Sequence, residues 1–396
     1  MKYYEIPHFI IKKNSQKGEY TYQDILKNNI LEDICKKLTN KENFTVEFDE
    51  RGYNKGRLAI LYYKDRVNYI SFSETGKIKG RNYFFQSITT ALVHFYKEQN
   101  ENKRICFYLL ECEGNIETNY YKFMYRLMAT AGIEFINSDR ILKEKISKFL
   151  TVDDILATRI LNKSTNRSNN STYLTRSKNG IIEIYAKTYG ANKKEAVLIT
   201  IAASHLVSKI ILYEITEQNL KKLPIPDKEM LLNLKNIEIV NTDMLMERIE
   251  FEKENSLRSP RFIYNLLERI GPKKCALCDC EIPELIEGAH IWAVSDIKNT
   301  YALAIDDKIK YAIDGNNGLW LCENHHKMFD EGLLQILKDG TICIKRNMEE
   351  KDKKFINKVT TVQNLSSVIL SQDTSFYLEK RYQTLKTELI EYDILK

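Results

Sequence analysis

Between Tyr20 and Leu38, apolar residues recur at Ile25, Leu26, Ile30, Leu31, Ile34, Cys35 and Leu38, a helical period. Three strand-like runs follow, Phe44–Phe48, Leu58–Tyr63 and Val67–Phe72, rich in branched and aromatic residues. The pattern then predicts a helix over Phe85–Tyr96, a strand over Arg104–Leu110, a helix over Ile116–Ala131 and a short strand over Ile133–Ile136. Residues 1–150 therefore read as an α/β domain.

A second α/β unit is expected over 151–255. It holds a strand at Gly180–Lys187, a loop at Thr188–Lys193, a helix at Lys194–Val207 and a strand at Ser208–Ile215. The loop brings Gly190 and Asn192 to the helix start, where free N–H groups favour an anion. Its glycine content is too low for a nucleotide fingerprint, which leaves a DNA phosphate or no ligand. Pro224 and Pro226 break the pattern, a short helix and strand fit Met230–Ile239, and Met244–Asn255 reads as a charged helical connector. Ser256–Ile270 carries Arg258, Arg261 and Arg269 against Glu268 alone, a basic approach to the cysteine- and histidine-rich segment beyond it. Residues 256–345 form the third expected domain, ending in a hairpin over Leu333–Ile344 that turns at Asp339-Gly340. Residues 346–396 are charged and mostly helical, with an apolar stripe at Phe376, Leu378, Tyr382, Leu385, Leu389 and Ile390 that suits packing or dimerisation.

The 396 residues allow several domains, and 43% hydrophobic with 29% charged residues describe a globular chain. No apolar run follows a basic start, so no signal peptide is expected. The longest apolar stretch, Ala196–Val207, is too short to span a bilayer. Cys35, Cys106, Cys112 and Cys343 show no disulfide framework, which points to a reducing cytoplasm. A net charge of +6 permits DNA binding without demonstrating it.

Chemistry concentrates between Lys274 and Leu334. Cys275-Ala-Leu-Cys278 is one knuckle, and Cys322 with His325 forms a second pair about 45 residues further on. Three thiolates and an imidazole are a donor set for structural zinc. Cys280 is set aside, because CxC spacing is less usual for that ion. A second pattern joins His290, at the end of a predicted strand Leu285–Ile291, with Asn317, His326 and Asp330. His326 and Asp330 are four residues apart, so a helix would turn both towards one ion.

The run Gly-Ala-His290-Ile, Asn317-Gly-Leu-Trp-Leu-Cys322 and His325-His326-Lys-Met-Phe-Asp330-Glu-Gly resembles the ββα-metal, or HNH, nuclease cassette of prokaryotic type II restriction endonucleases, over residues 273–345. The resemblance implies a C-terminal nuclease domain with a zinc knuckle. His290 would be the general base, His326 and Asp330 would hold a catalytic Mg²⁺ or Mn²⁺, and Asn317 would fix the loop and orient the His290 ring. Many relatives carry Asp or His as a metal ligand immediately before the base, where this chain has Ala289. Either the ion keeps more water, or Glu287 or Asp330 supplies the missing oxygen. His325 and His326 could exchange roles; the Cys322-xx-His325 pairing assigns His325 to zinc.

The front of the chain is then the expected DNA reader. Its order of helix, three strands, helix and strand resembles the core of PD-(D/E)xK nucleases in topology alone. Glu47, Asp49 and Glu74 lack a convincing partner lysine motif, so recognition or scaffold is expected rather than a second active site. Candidate DNA contacts are Lys77, Lys79 and Arg81 in one basic loop, and Arg159, Lys163, Arg167, Arg176 and Lys178 in a second, Ser- and Asn-rich one. The expected partner is double-stranded DNA, cut by a homodimer at a palindromic site and protected by a cognate methyltransferase. Two rival readings are a modification-dependent nuclease and a zinc-held DNA-binding module without catalysis.

Overall fold

The computed structural model describes residues 3–12, 29–49, 58–73, 80–110, 118–161, 172–187, 190–216, 222–257, 259–385 and 388–395. The fold is mixed α/β and divides into two compact units. Unit 1 comprises Met1–Thr172, Ala186–Leu212 and Lys221–Ile239; unit 2 comprises Tyr173–Tyr185, Tyr213–Leu220 and Val240–Lys396. Strands β7 (Thr172–Arg176), β8 (Ile182–Lys187), β9 (Ile210–Ile215) and β10 (Ile237–Thr242) form a four-stranded sheet in the order β10-β9-β8-β7.

Unit 1 is built on a six-stranded sheet of order β2-β1-β3-β4-β5-β6. Its strands are β1 (Tyr4–Lys12), β2 (Thr45–Asp49), β3 (Leu58–Lys64), β4 (Arg66–Ser73), β5 (Lys103–Leu109) and β6 (Glu134–Phe135). The sheet is mixed: β1–β3 and β3–β4 pair antiparallel, and β1–β2, β4–β5 and β5–β6 pair parallel. Helix α1 (Ile30–Thr39) lays Ile30, Leu31, Ile34 and Cys35 against Phe9, Ile11, Leu61, Ile70 and Phe72 of the sheet. This face is the helical stripe legible in the sequence. Strand β1 was not; its burial depends on β2 and β3, which are far along the chain.

Helices α2 (Gly80–Lys97), α3 (Asn119–Thr130), α4 (Ser138–Ile141), α5 (Val152–Leu161), α6 (Gly190–Ser204) and α7 (Ile225–Asn233) complete unit 1. Gly190 opens α6, whereas the sequence pattern starts this helix at Lys194. Among the described residues no helix is long and apolar enough to cross a membrane.

Unit 2 is organised around an antiparallel hairpin of β11 (Ile286–His290) and β12 (Gly318–Cys322), followed directly by a helix at Glu323–Asp330. The other elements are α8 (Met244–Glu254), α9 (Pro260–Ile270), α10 (Val294–Asn299), α11 (Ile305–Ile313), α12 (that Glu323–Asp330 helix), a sheet of β13 (Leu334–Ile336), β14 (Ile342–Lys345) and β15 (Tyr392–Ile394), and two helices, α13 (Glu350–Val359) and α14 (Gln372–Thr384). The β13–β14 turn has Gly340 at φ 91°, the left-handed conformation its Asp-Gly sequence allows. Residues 346–396 do not stand apart: Ile356, Leu365, Tyr377, Leu378 and Leu395 share one core with Trp320, Phe329 and Leu334.

Helix α9 is the shelf under the hairpin. Ser259 caps it by accepting from the Arg261 N–H at 3.0 Å, and Pro260 opens its first turn. Its Phe262 lies so close to the hairpin that a Cβ on Gly288 would meet the ring at 2.9 Å, and one on Gly318 at 2.6 Å. Of the arginines expected as a basic approach, Arg258 lies outside the described residues, and Arg261 and Arg269 are structural. Arg261 is buried and donates to the Thr216 carbonyl at 2.8 Å; Arg269 donates to the carbonyls of Gly315, Gly318 and Ile369 at 2.6–2.8 Å. Gly315 is the least forgiving contact with α9, since a Cβ there would stand 2.6 Å from the Asn265 carbonyl oxygen, which belongs to a helix and cannot yield. Gly315→Ala is expected to cost about 1–3 kcal/mol by overpacking and to lower the melting temperature of the unit by roughly 2–4 °C per kcal/mol. A thermal melt unchanged from wild type would contradict this packing.

Candidate metal centres and catalytic cleft

The hairpin register sets the site. Ile286 pairs with Cys322 at one end and His290 pairs with Gly318 at the other, so a cysteine and a histidine mark opposite ends of the same two strands.

At the cysteine end, Cys275, Cys278, Cys322 and His325 bring their ligand atoms within 4.8 Å of one another. The Cys275 Sγ–His325 Nδ1 separation is 3.5 Å, Cys322 Sγ–His325 Nδ1 is 3.1 Å and Cys278 Sγ–Cys322 Sγ is 3.9 Å. Zinc bonds of about 2.3 Å to sulfur and about 2.0–2.1 Å to nitrogen give tetrahedral edges of roughly 3.5–3.8 Å. The four residues therefore fit a zinc ion by donor chemistry and by size. His325 Nε2 lies 3.0 Å from Thr360 Oγ1, which orients the ring from behind. Hydrogen bonding between the thiols lowers Cys275 and, together with burial, pushes Cys322 up to about 11. Cys280 contributes its carbonyl to the Cys275 N–H at 2.9 Å, while its thiol is not part of the cluster.

At the other end His290 is half-buried. Its Nε2 lies 2.8 Å from the Ala312 carbonyl oxygen, and its ring stacks on Phe262 with centroids 3.7 Å apart and planes 17° apart. A carbonyl only accepts, so Nε2 carries the proton and the neutral ring's lone pair is on Nδ1. Asn317 is fully buried and works on the backbone. Its Oδ1 accepts from the Trp292 N–H at 2.8 Å, and its Nδ2 donates to the carbonyls of Trp292 and Tyr311 at 3.2 and 3.1 Å. The ring-orienting bond expected from Asn317 thus comes from Ala312, because a buried amide must satisfy itself on the nearest backbone. Asn317 thus ties the segment just after His290 to helix α11.

His326 projects from the first turn of α12 with a carboxylate on each ring nitrogen. Nδ1 is 3.0 Å from Glu287 Oε2, and Nε2 is 3.4 Å from Asp330 Oδ2. Ala289 is buried, and the strand pleat puts Glu287 on its face, two residues earlier. Glu287 meets Lys178 Nζ at 2.6 Å, and Lys178 also reaches Glu323 at 2.9 Å. Burial raises the Glu287 carboxyl, but hydrogen bonds from Lys178 and His326 more than offset it and hold the group below its usual range. One imidazole and an adjacent carboxylate are donors that Mg²⁺ or Mn²⁺ accepts, with water completing the shell. Lys178, Glu287, His290, His326 and Asp330 all line one cleft of about 1570 Å³ within unit 2.

Arg381 of α14 was not legible as a site residue. It donates to Gln335 Oε1 at 3.0 Å, to the Ile291 carbonyl at 3.2 Å and to the Phe329 carbonyl, tying the residue after His290 to the residue before Asp330. Burial lowers it to about 10, so it stays cationic at neutral pH.

The expected DNA contacts divide. Lys77, Lys79, Lys163 and Arg167 lie outside the described residues, and Arg81 falls in α2. Arg159 requires a correction: it sits in α5, buried, with its guanidinium 2.8 Å from Glu195 Oε1. A cation committed to a buried carboxylate does not reach phosphate. Arg176 lies on β7 with Nε 3.7 Å from Glu284, and Lys178 stands in the cleft.

Residues 275–336 match the family model described as HNH endonuclease. No curated protein matches the chain. The matched segment begins at the first knuckle cysteine and ends with β13, so Phe262, Lys178 and Arg381 come from outside it. Elemental analysis is expected to find one zinc per chain. Cys322→Ser should lose it and lower the melting temperature by on the order of 10 °C. Zinc-free native protein, or a Cys322→Ser variant melting as wild type, would contradict a structural ion at this cluster.

Proposed function

We propose that this protein is a metal-dependent endonuclease that cuts double-stranded DNA at specific sequences, as a restriction enzyme does, with its active centre in the HNH segment. The observation that carries the proposal is the meeting in one cleft of two differently held histidines: His290, donating to a carbonyl, and His326, set between two carboxylates.

His290 is the general base. With Nε2–H bound to Ala312, its Nδ1 accepts the proton of the attacking water, and Phe262 holds the ring plane during the transfer. His326 and Asp330 would hold the divalent ion, with Glu287 accepting from the His326 Nδ1–H and fixing the tautomer. Glu287 thereby compensates for Ala289 by orienting the ring rather than by ligating. When bound, the ion supplies charge stabilisation to the scissile phosphate and the departing 3′-oxygen. Asn317 keeps the base at its distance from α12. The Cys275, Cys278, Cys322 and His325 cluster holds zinc in a structural role.

One cleft serves one strand, so cutting a duplex takes two chains, and a homodimer on a palindromic site is the economical arrangement. The remaining α/β residues supply sequence reading, and a cognate methyltransferase protects the host DNA. The test is digestion of one phage DNA, unmodified and cytosine-methylated, with Mg²⁺. Discrete fragments from unmodified DNA are expected, with His290→Ala slower by about 10²–10⁴-fold and still binding DNA. Cutting of only methylated DNA would replace sequence recognition by modification recognition. Binding without cutting in the wild type would overturn the catalytic assignment.

A further inference from the structure

The nuclease cleft is an adverse place for a phosphodiester. Six carboxylates line it (Glu183, Glu254, Glu287, Asp296, Asp330 and Glu331), against four lysine and arginine side chains. A phosphate entering there needs cations at the reacting end, and one divalent ion offsets only part of the carboxylate surplus and the phosphate's own charge together.

The four cations are not equivalent. Arg381 is buried and spent on Gln335 and two carbonyls, and Lys273 donates to the Arg176 carbonyl at 2.9 Å. Lys298 is on α10. Lys178 differs, because its ammonium meets Glu287, the carboxylate that holds His326, and its side chain remains half exposed. It is carried at the β7–β8 turn, which is closed by the Ser177 N–H to Ile181 carbonyl bond at 3.0 Å and by Gly180 at φ 68°. A rigid turn thus delivers a flexible four-carbon stem, with three donors at its end, to the edge of the ligand cluster.

We infer that Lys178 is a catalytic residue of this nuclease, its ammonium binding a non-bridging oxygen of the scissile phosphate beside His326. The inference rests on the nuclease reading above. In the resting protein Glu287 and Glu323 hold the ammonium as stand-ins for the phosphate oxygens. On DNA binding Lys178 exchanges Glu323 for the phosphate and keeps Glu287 neutralised. The ammonium stays protonated throughout, its role is charge stabilisation, and no proton or bond is exchanged at it. The active centre therefore extends to a turn about 100 residues before the HNH segment, which makes the β7–β8 hairpin part of the enzyme rather than a linker.

The test compares wild type with Lys178→Met and Lys178→Arg in the full-length protein. Two quantities are read: the single-turnover cutting rate on phage DNA over a Mg²⁺ series carried past wild-type saturation, and affinity for the same DNA in Ca²⁺ over a salt series. Lys178→Met should cut about 10²–10³-fold more slowly, the cost of removing one oxyanion donor, and its salt slope should fall by about one ion. Lys178→Arg should recover most of both, and all three proteins should hold equal zinc. An unchanged rate, an unchanged slope, or a rate restored simply by more Mg²⁺ would each overturn the assignment, the last by reducing Lys178 to a buttress for Glu287. Wild type that binds but does not cut overturns the nuclease reading, and with it the catalytic role; the salt slope then reports separately whether Lys178 touches phosphate.

Discussion

The cross-connection of Cys275 and Cys278 to Cys322 and His325 is the constraint on which unit 2 depends. Cys322 ends β12 and opposes Ile286, the first residue of β11, so a clasp there fixes the register of the hairpin. His290 lies four residues along β11, about 14 Å away at 3.4 Å per residue, and a one-residue slip would turn it to the other face. The same clasp holds the start of α12, because His325 belongs to its first turn and His326 is the next residue. Register and helix position together decide where the two histidines point. An eight-residue helix and a five-residue hairpin would be marginal alone; a closed loop between knuckles removes much of the entropy they would otherwise lose.

Around this clasp the rest of unit 2 acts as a set of braces. Phe262 of α9 occupies the space left open by Gly288 and Gly318 and puts its ring under His290. Arg269 forks onto the turn that presents Asn317, and Tyr377 donates to Asp314 in the same turn at 2.6 Å. Arg381 joins the Ile291 and Phe329 carbonyls. Arg269 and Arg381 each satisfy backbone carbonyls that loops cannot satisfy themselves. The positions of the two histidines are thus set in part by side chains outside the 275–336 segment.

The legible parts of the chain were those in which spacing is the physics. Two short pairs of soft ligands can close only one tetrahedral site, and residues four apart on a helix share a face, so the Cys275–His325 cluster and the His326–Asp330 pair could both be read directly. The stripe from Ile30 to Cys35 was legible for the same reason. Charge was less informative, because a run of basic residues does not say which of them is buried. Arg159 pairs with Glu195 inside unit 1, and Arg261 pairs inside unit 2, although both read as surface cations. Contacts between distant segments left no local signal at all. Phe262 against Gly288, Lys178 against Glu287 and Arg381 against Ile291 each join residues that periodicity treats as unrelated.

In the proposed enzyme two chemically distinct ions belong at opposite ends of one hairpin, one in a soft-ligand site that would build the domain and one in a hard-ligand site that would carry the reaction. Crystals grown with zinc and soaked in Mn²⁺ would test this directly by anomalous scattering at the two absorption edges. The expected result is a zinc peak among Cys275, Cys278, Cys322 and His325, and a manganese peak at His326 Nε2 and Asp330. Manganese absent from His326, or bound on the far side of the cleft from His290, would contradict it.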